Sequence, residues 1–276
     1  MCNNNKKMYY PEYDVIDTFV EFIENNTPFS FSKYGDGEWI CANRDVFNGK
    51  YGNTNSDYDT YTENLQRGLT EGLKDIVNHE GNNYIGAWET KTVMDYWSSI
   101  VEHKEKILWA DYHTFIFNKL DEPDIINRRL KLYKSIQNCT RKKIIICNQL
   151  LQKSRDLLRA DEMIIVPFQN WFDQHFTDIL QKIIQAIGEN EEPMVFTSCG
   201  MGAKVLISTL RQKYPKGIFI DMGSAMDYIC TMRNTRGRKF SYNDLYEIMK
   251  PILPDNWHDP KYNGIYEYAK RYLIEC

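Results

Sequence analysis

Four short apolar runs in the second half of the chain constrain its fold more than any other feature. They are "KIIIC" at 143–147, "EMIIVP" at 162–167, "PMVFTSC" at 193–199 and "GIFIDMG" at 217–223. Each is strand-length and rich in β-branched or aromatic residues, the composition of strands buried on both faces. The segments between them, 149–159, 171–187 and 201–214, read as helices. Strand, helix and strand in succession form βαβ units, whose strands lie parallel with helices packed across them.

The first half fits the same scheme. Apolar residues at helical spacing mark a helix over 13–25, stopped by "NNTP", and alternation marks a strand over 29–34. A polar, asparagine-rich stretch at 48–57 reads as a loop, followed by a helix over 59–79. A strand over 83–88, a helix over 90–103 and a strand over 107–110 complete the pattern. The expected fold is an α/β, Rossmann-like, mainly parallel sheet with helices on both faces, forming a single domain over 1–276.

Composition narrows the function. Hydrophobic residues are 42% and charged residues 26% of the 276, ordinary for a globular protein with a real core. The formal net charge of −4 argues against nucleic acid as the main partner, because phosphate contacts need a basic face. No apolar run approaches the roughly 20 residues that cross a bilayer, and "MCNNNKKMYYPEYD" has no apolar segment of a secretory signal. A cytoplasmic location is expected. The seven scattered cysteines contain no C-x-x-C pair and read as reduced thiols.

In sheets of this kind ligands bind beyond the carboxyl ends of the strands, and the unusual polar residues fall there. "KYGDGEW" follows the first strand and sets Asp36 and Glu38 around Gly37, after Lys33 and Gly35. On an extended or turning backbone the two acids share a face, and a pair so close calls for a proton or a hard divalent cation. A bare D-G-E is more often a solvated turn; its place at a strand end favours the cation site. Asn148 and Asn170 follow two further strands. "TSCGMGAKV" places Gly200 and Gly202 between strand and helix, where backbone N–H groups can face an anion. Val205 stands where a dinucleotide fingerprint has its third glycine, and Asp221 lies downstream.

"IDMGSAMDYICTMRNTRGRKF" adds Gly223, Ser224 as a helix cap, Asp227 as a base or sugar-hydroxyl partner, and a cluster of Arg233, Arg236, Arg238 and Lys239 suited to a diphosphate or to solvent. Trp39, Trp88 and Trp171 stand near strand ends and read as core in preference to stacking platforms. His113, His175 and His258 show no metal-ligand spacing.

Taken together and in order, "FSFSKYGDGEW", "IIVPFQNWF", "VFTSCGMGAKVLISTL" and "GIFIDMGSAMD" resemble the GT-D glycosyltransferases, a bacterial family first catalogued as a domain of unknown function. The resemblance covers most of 29–227. It implies a Rossmann-like enzyme that moves a sugar from a nucleoside diphosphate sugar, UDP-linked by expectation, to a glycan or glycoprotein acceptor. It also implies a divalent ion, manganese or magnesium, held by Asp36 and Glu38. Gly200, Gly202, Asp221 and Gly223 would belong to the nucleotide crevice, and Lys33 and Tyr34 stand where the family usually has arginine and phenylalanine. Inversion would require a proton acceptor, with Asp227, Asp221 or His258 as candidates; retention would require another geometry. Two readings compete: a methyltransferase or dinucleotide enzyme built on "CGMG" and Asp221, and a binding protein without catalysis.

Overall fold

The computed structural model describes residues 11–118 and 120–257. In chain order the elements are α1 (Ile16–Glu24), β1 (Phe29–Lys33), α2 (Asp36–Ala42), α3 (Arg44–Phe47), α4 (Glu63–Asn78), β2 (Asn82–Ala87), α5 (Lys91–Ile100) and β3 (Leu108–Asp111). Then follow α6 (Pro123–Asn138), β4 (Lys143–Asn148), α7 (Lys153–Leu158), β5 (Glu162–Val166), α8 (Trp171–Ile187), β6 (Met194–Ser198), α9 (Gly202–Lys213), β7 (Ile218–Asp221), α10 (Asp227–Thr231) and α11 (Tyr242–Met249). The seven strands form one sheet in the order β3-β2-β1-β7-β6-β4-β5, and every pairing is parallel. The expected α/β Rossmann-like architecture is therefore present.

Alternation along the strands explains why helices cover both faces. In β4, Ile145 and Cys147 point into a core shared with α1, α6, α7, α10 and α11, while Ile144 and Ile146 point into a second core shared with α2, α4, α5, α8 and α9. A strand buried on both sides must be apolar at every position, which is why "KIIIC" reads as a continuous run. The Phe19 ring joins α1 to β1 by stacking on Phe29, with ring centroids 4.7 Å apart.

Among the elements that differ from the sequence expectation, two cover one face of the sheet. Residues 149–159 are not one helix: a 3-10 turn over Gln149–Leu151 precedes the short α7. The other is α6, a 16-residue helix that the apolar pattern did not reveal. Its buried stripe is interrupted by Arg129, which is 3% exposed and spends its guanidinium on the carbonyls of Thr114 (3.3 Å) and His113 (3.1 Å). A cation inside the stripe hides the helical period from a hydrophobicity pattern. Pro123 at its start was the available signal.

Sheet, α8 and α9 meet at Gly202. A Cβ added there would lie 2.7 Å from Trp171 Cζ2 and 3.1 Å from Phe172 Cβ. Trp171 cannot yield, since it is 2% exposed and its Nε1 donates to the Cys199 carbonyl at 2.6 Å. Gly202→Ala should lower the free energy of unfolding by about 1–3 kcal/mol, the usual cost of overpacking, as measured by urea denaturation.

Candidate active site

Asp221 ends β7 and organises the centre of the molecule. Its Oδ1 accepts the N–H of Gly223 at 2.9 Å, and its Oδ2 accepts the N–H of Lys33 at 3.2 Å and faces Lys204 Nζ at 3.0 Å. The same ammonium, on the first turn of α9, lies 2.7 Å from Glu38 Oε1. Lys204, Asp221 and Glu38 are all buried. Burial opposes the charge on Lys204, but Asp221 and Glu38 outweigh it and hold its pKa well above the ordinary lysine value. The chain thus joins β1, β7, α2 and α9 through one cation.

The D-G-E stretch is not the extended turn that its spacing suggested. Asp36 and Glu38 occupy the first turn of α2, where residues two apart are rotated by about 200° and do not share a face. Glu38 folds back so that its Oε2 accepts the N–H of Gly35 at 2.9 Å, the reciprocal half of a capping box. Asp36 takes the other direction and lines the cleft, its Oδ1 accepting the N–H of Gly37 at 2.9 Å. Burial and then the charge of Glu38 push the Asp36 carboxyl up.

The cleft, about 1080 Å³, runs along the carboxyl edge of the sheet. Of the residues singled out by sequence, Asp36, Gly37, Glu38, Gly200, Gly223 and Ser224 line it. So do Asn148, Asp227, Arg233 and Arg236, together with Trp88. Lys33, Gly35 and Asp221 lie beneath the surface that these residues form, and Gly202 faces α8. Only Gly200 of the G-x-G pair therefore belongs to the cleft wall. Ser224 does not cap α10, which starts at Asp227 with Met226 before it; the Ser224 carbonyl accepts from Arg238 at 2.9 Å. His258 lies outside the described residues.

Asn170 is a bracket for the 48–62 loop. Its Oδ1 accepts the N–H of Thr60 at 2.8 Å, and its own N–H donates to Asp59 Oδ1 at 2.9 Å. Asp59, which the sequence reading passed over, lies against Gly200, whose φ of +74° admits few other residues and whose added Cβ would be 2.7 Å from Asp59 Oδ2. Burial pushes the Asp59 carboxyl up to about 6, against the Asn170 N–H bond that lowers it. Its only sequence signal was an acid at the end of a polar loop.

The cations gather on one side. Lys33 is 2% exposed, with its ammonium 4.2 Å from the centroid of the Tyr112 ring and 2.8 Å from where a Cβ on Gly223 would stand. Burial brings its pKa down to about 8. Arg236 spans the cleft from the far loop to Asp57 (3.0 Å) and Ser56 Oγ (2.9 Å). Asp227 lies among these cations, and burial lifts its carboxyl to about 6 while Arg236 opposes the shift.

For a divalent cation the fit is partial. Among the described residues no group of three or more His, Cys, Asp or Glu side chains could hold a metal ion. Asp36 is open to the cleft, whereas each oxygen of Glu38 already faces a protein donor. Such a site suits an ion that takes most of its shell from a diphosphate and water.

Compared by sequence, the chain matches no family model and no curated protein. Compared by structure, it is similar to a glycosyltransferase of domain of unknown function 1792 from Streptococcus sanguinis, with a TM-score of 0.53 and 16% identity over 88% of this chain and 95% of that one. It is also similar to a structure of the same domain described as having a distinct glycosyltransferase fold, with a TM-score of 0.51 and 17% identity over 77% of this chain and 79% of that one. The likeness establishes a glycosyltransferase-type fold. Among the described residues no helix is long and apolar enough to cross a membrane.

Two outcomes test the electrostatics. Lys204→Met leaves two carboxylates facing each other without their cation and should cost about 3–5 kcal/mol in urea denaturation. Asp59 is an acid whose folded pKa exceeds its ordinary value of 3.8, so its contribution is complete below about 4 and is lost as pH rises through about 6. Asp59→Asn should therefore remove a decline of order 2 kcal/mol between pH 4 and 7.5, read as the difference between the two proteins' stability curves.

Proposed function

We propose that this protein is a metal-dependent glycosyltransferase that moves a sugar from a nucleoside diphosphate sugar, UDP-linked, to a hydroxyl of a glycan or glycoconjugate in the cytoplasm. The observation that carries the reading is one cleft over the carboxyl edge of a parallel sheet, where Asp36 and a set of lysines and arginines surround two glycine turns, Gly200 and Gly223. The fold likeness supports the same class.

Cleaving the anomeric bond places growing negative charge on the departing diphosphate, so groups fixed where that charge appears favour the transition state over the ground state. Manganese or magnesium, held by Asp36 and the diphosphate itself, would act there as a Lewis acid. Arg233 and Arg236 line the cleft and can bind phosphate oxygens in bidentate fashion. Lys33, beneath Gly223, carries an ammonium whose charged form an approaching phosphate would favour against the burial that opposes it. At the Gly200 and Gly223 turns the missing side chains leave room for Asp59 and Lys33, which an added Cβ would meet at 2.7 and 2.8 Å. Asp227, among the arginines, is placed to accept a hydrogen bond from a sugar hydroxyl.

Calorimetric titration of UDP with Mn²⁺, repeated with EDTA, tests this. The wild type should bind UDP with metal and lose at least tenfold in affinity with EDTA. Asp36→Asn should bind weakly in both conditions. Absence of UDP binding would overturn the donor assignment, and equal binding with and without metal would overturn the role of the ion.

A further inference from the structure

The far end of the cleft, above β2 and β3, has the opposite chemistry. β2 pairs with β3 so that Ala87 faces Asp111, and two residues further on Glu89 and His113 come together. His113 Nε2 lies 3.3 Å from Glu89 Oε1, and its Nδ1 lies 3.7 Å from Asp111 Oδ1. Asp111 Oδ1 also accepts the His113 N–H at 3.1 Å, while Arg129 holds the His113 carbonyl at 3.1 Å and lies 4.0 Å from Asp111 Oδ2. The His113 backbone is thus held from β3 and α6, and its imidazole presents Nε2 to Glu89. Glu89, Asp111 and His113 all line the cleft, with side chains 12–19% exposed.

A diphosphate would be repelled from this end. The cations that could hold one are Lys33, Arg233 and Arg236, grouped around β1 and the loop after α10. Tyr112 separates the two regions: its ring lies beside Lys33 on one side and His113 on the other, and its hydroxyl stands 2.9 Å from where a Cβ on Gly35 would be.

We propose that Glu89, oriented by His113 and Asp111, takes the proton from the attacking hydroxyl. This rests on the glycosyl-transfer reading above. The hydroxyl oxygen forms its bond to the anomeric carbon as the bond from that carbon to the β-phosphate oxygen breaks. The electron pair of the broken bond leaves with the diphosphate, and the proton passes to the Glu89 carboxylate. Glu89 is the catalytic residue of this step, and His113 and Asp111 are positioning residues. Asp227 is less suited, because its carboxylate lies among the arginines that the diphosphate uses. Attack assisted by a base on the side away from the leaving group inverts the anomeric centre.

The test uses the full chain and whichever of UDP-glucose, UDP-galactose and UDP-N-acetylglucosamine the wild type binds, with water as the acceptor and UDP release as the readout. Glu89→Gln, which preserves shape, should bind UDP within threefold of wild type but release it at least 100-fold more slowly, a loss in kcat with KM nearly unchanged. His113→Gln should show a smaller loss of the same kind. Sodium formate should restore a measurable rate to Glu89→Ala and none to Asp36→Ala, an outcome that a merely structural role would not give. NMR of the released sugar should show the inverted anomer first. Normal UDP release by Glu89→Gln, or a retained anomer, would overturn the proposal while leaving donor binding intact. Failure of the wild type to bind any UDP species would overturn the reading on which it rests.

Discussion

A buried ammonium between two carboxylates holds this molecule's centre together. Lys204 reaches Glu38 and Asp221 across the junction of β1 and β7, and all three side chains are almost wholly removed from water. Taking three charges out of water costs several kcal/mol each, and their attraction offsets that cost only when the remaining lone pairs are also satisfied. Here they are: Glu38 accepts the Gly35 N–H, and Asp221 accepts those of Lys33 and Gly223. A hydrophobic trio of similar volume would cost less to bury. What the ionic arrangement adds is direction, because each carboxylate orients a backbone turn that a methyl group could not.

The consequence is a cleft whose wall is set from below. Glu38 fixes the N-terminus of α2, which in turn aims Asp36 outward; Asp221 fixes the turn at Gly223, which keeps the Lys33 ammonium covered by backbone instead of by a side chain. Lys33 is poorly solvated, and its nearest aromatic partner is the Tyr112 face, which favours the cation but cannot replace hydration. An ammonium in that state gains more from an arriving phosphate than one already paired with a carboxylate. Preorganised, underpaired charge costs the folded protein stability and returns it as affinity for the charge that develops during reaction.

The sheet was legible in the sequence because its strands are parallel and covered on both faces, so each had to be an uninterrupted apolar run. "KIIIC" and "GIFI" could be little else. α6 was not legible, because Arg129 sits in its buried stripe and binds the carbonyls of Thr114 and His113 in the preceding segment. The place of the cleft was legible, since it lies at the carboxyl ends of the strands, where such sheets bind ligands. Its wiring was not. Lys204 looks like any lysine on the first turn of a helix, and nothing within "CGMGAKV" says that one partner is 166 residues back and the other 17 residues on. The same holds for Glu89 and His113, which become neighbours only when β2 and β3 align.

The D-G-E stretch shows how spacing and conformation separate. Two acids one residue apart converge on a strand and diverge on a helix, and the glycine before Asp36 starts a helix. Once Glu38 is spent on the Gly35 N–H and Lys204, a cation meeting this stretch finds one outward carboxylate. Mg²⁺ or Mn²⁺ dehydrates reluctantly and prefers several oxygen ligands, so a single carboxylate holds it weakly until phosphate oxygens complete the shell. Metal and diphosphate would then bind as a unit, each raising the affinity for the other by the same factor. Glu38, spent on its own helix, would make that coupling stronger, because a second free carboxylate would raise the affinity for the ion with no donor present.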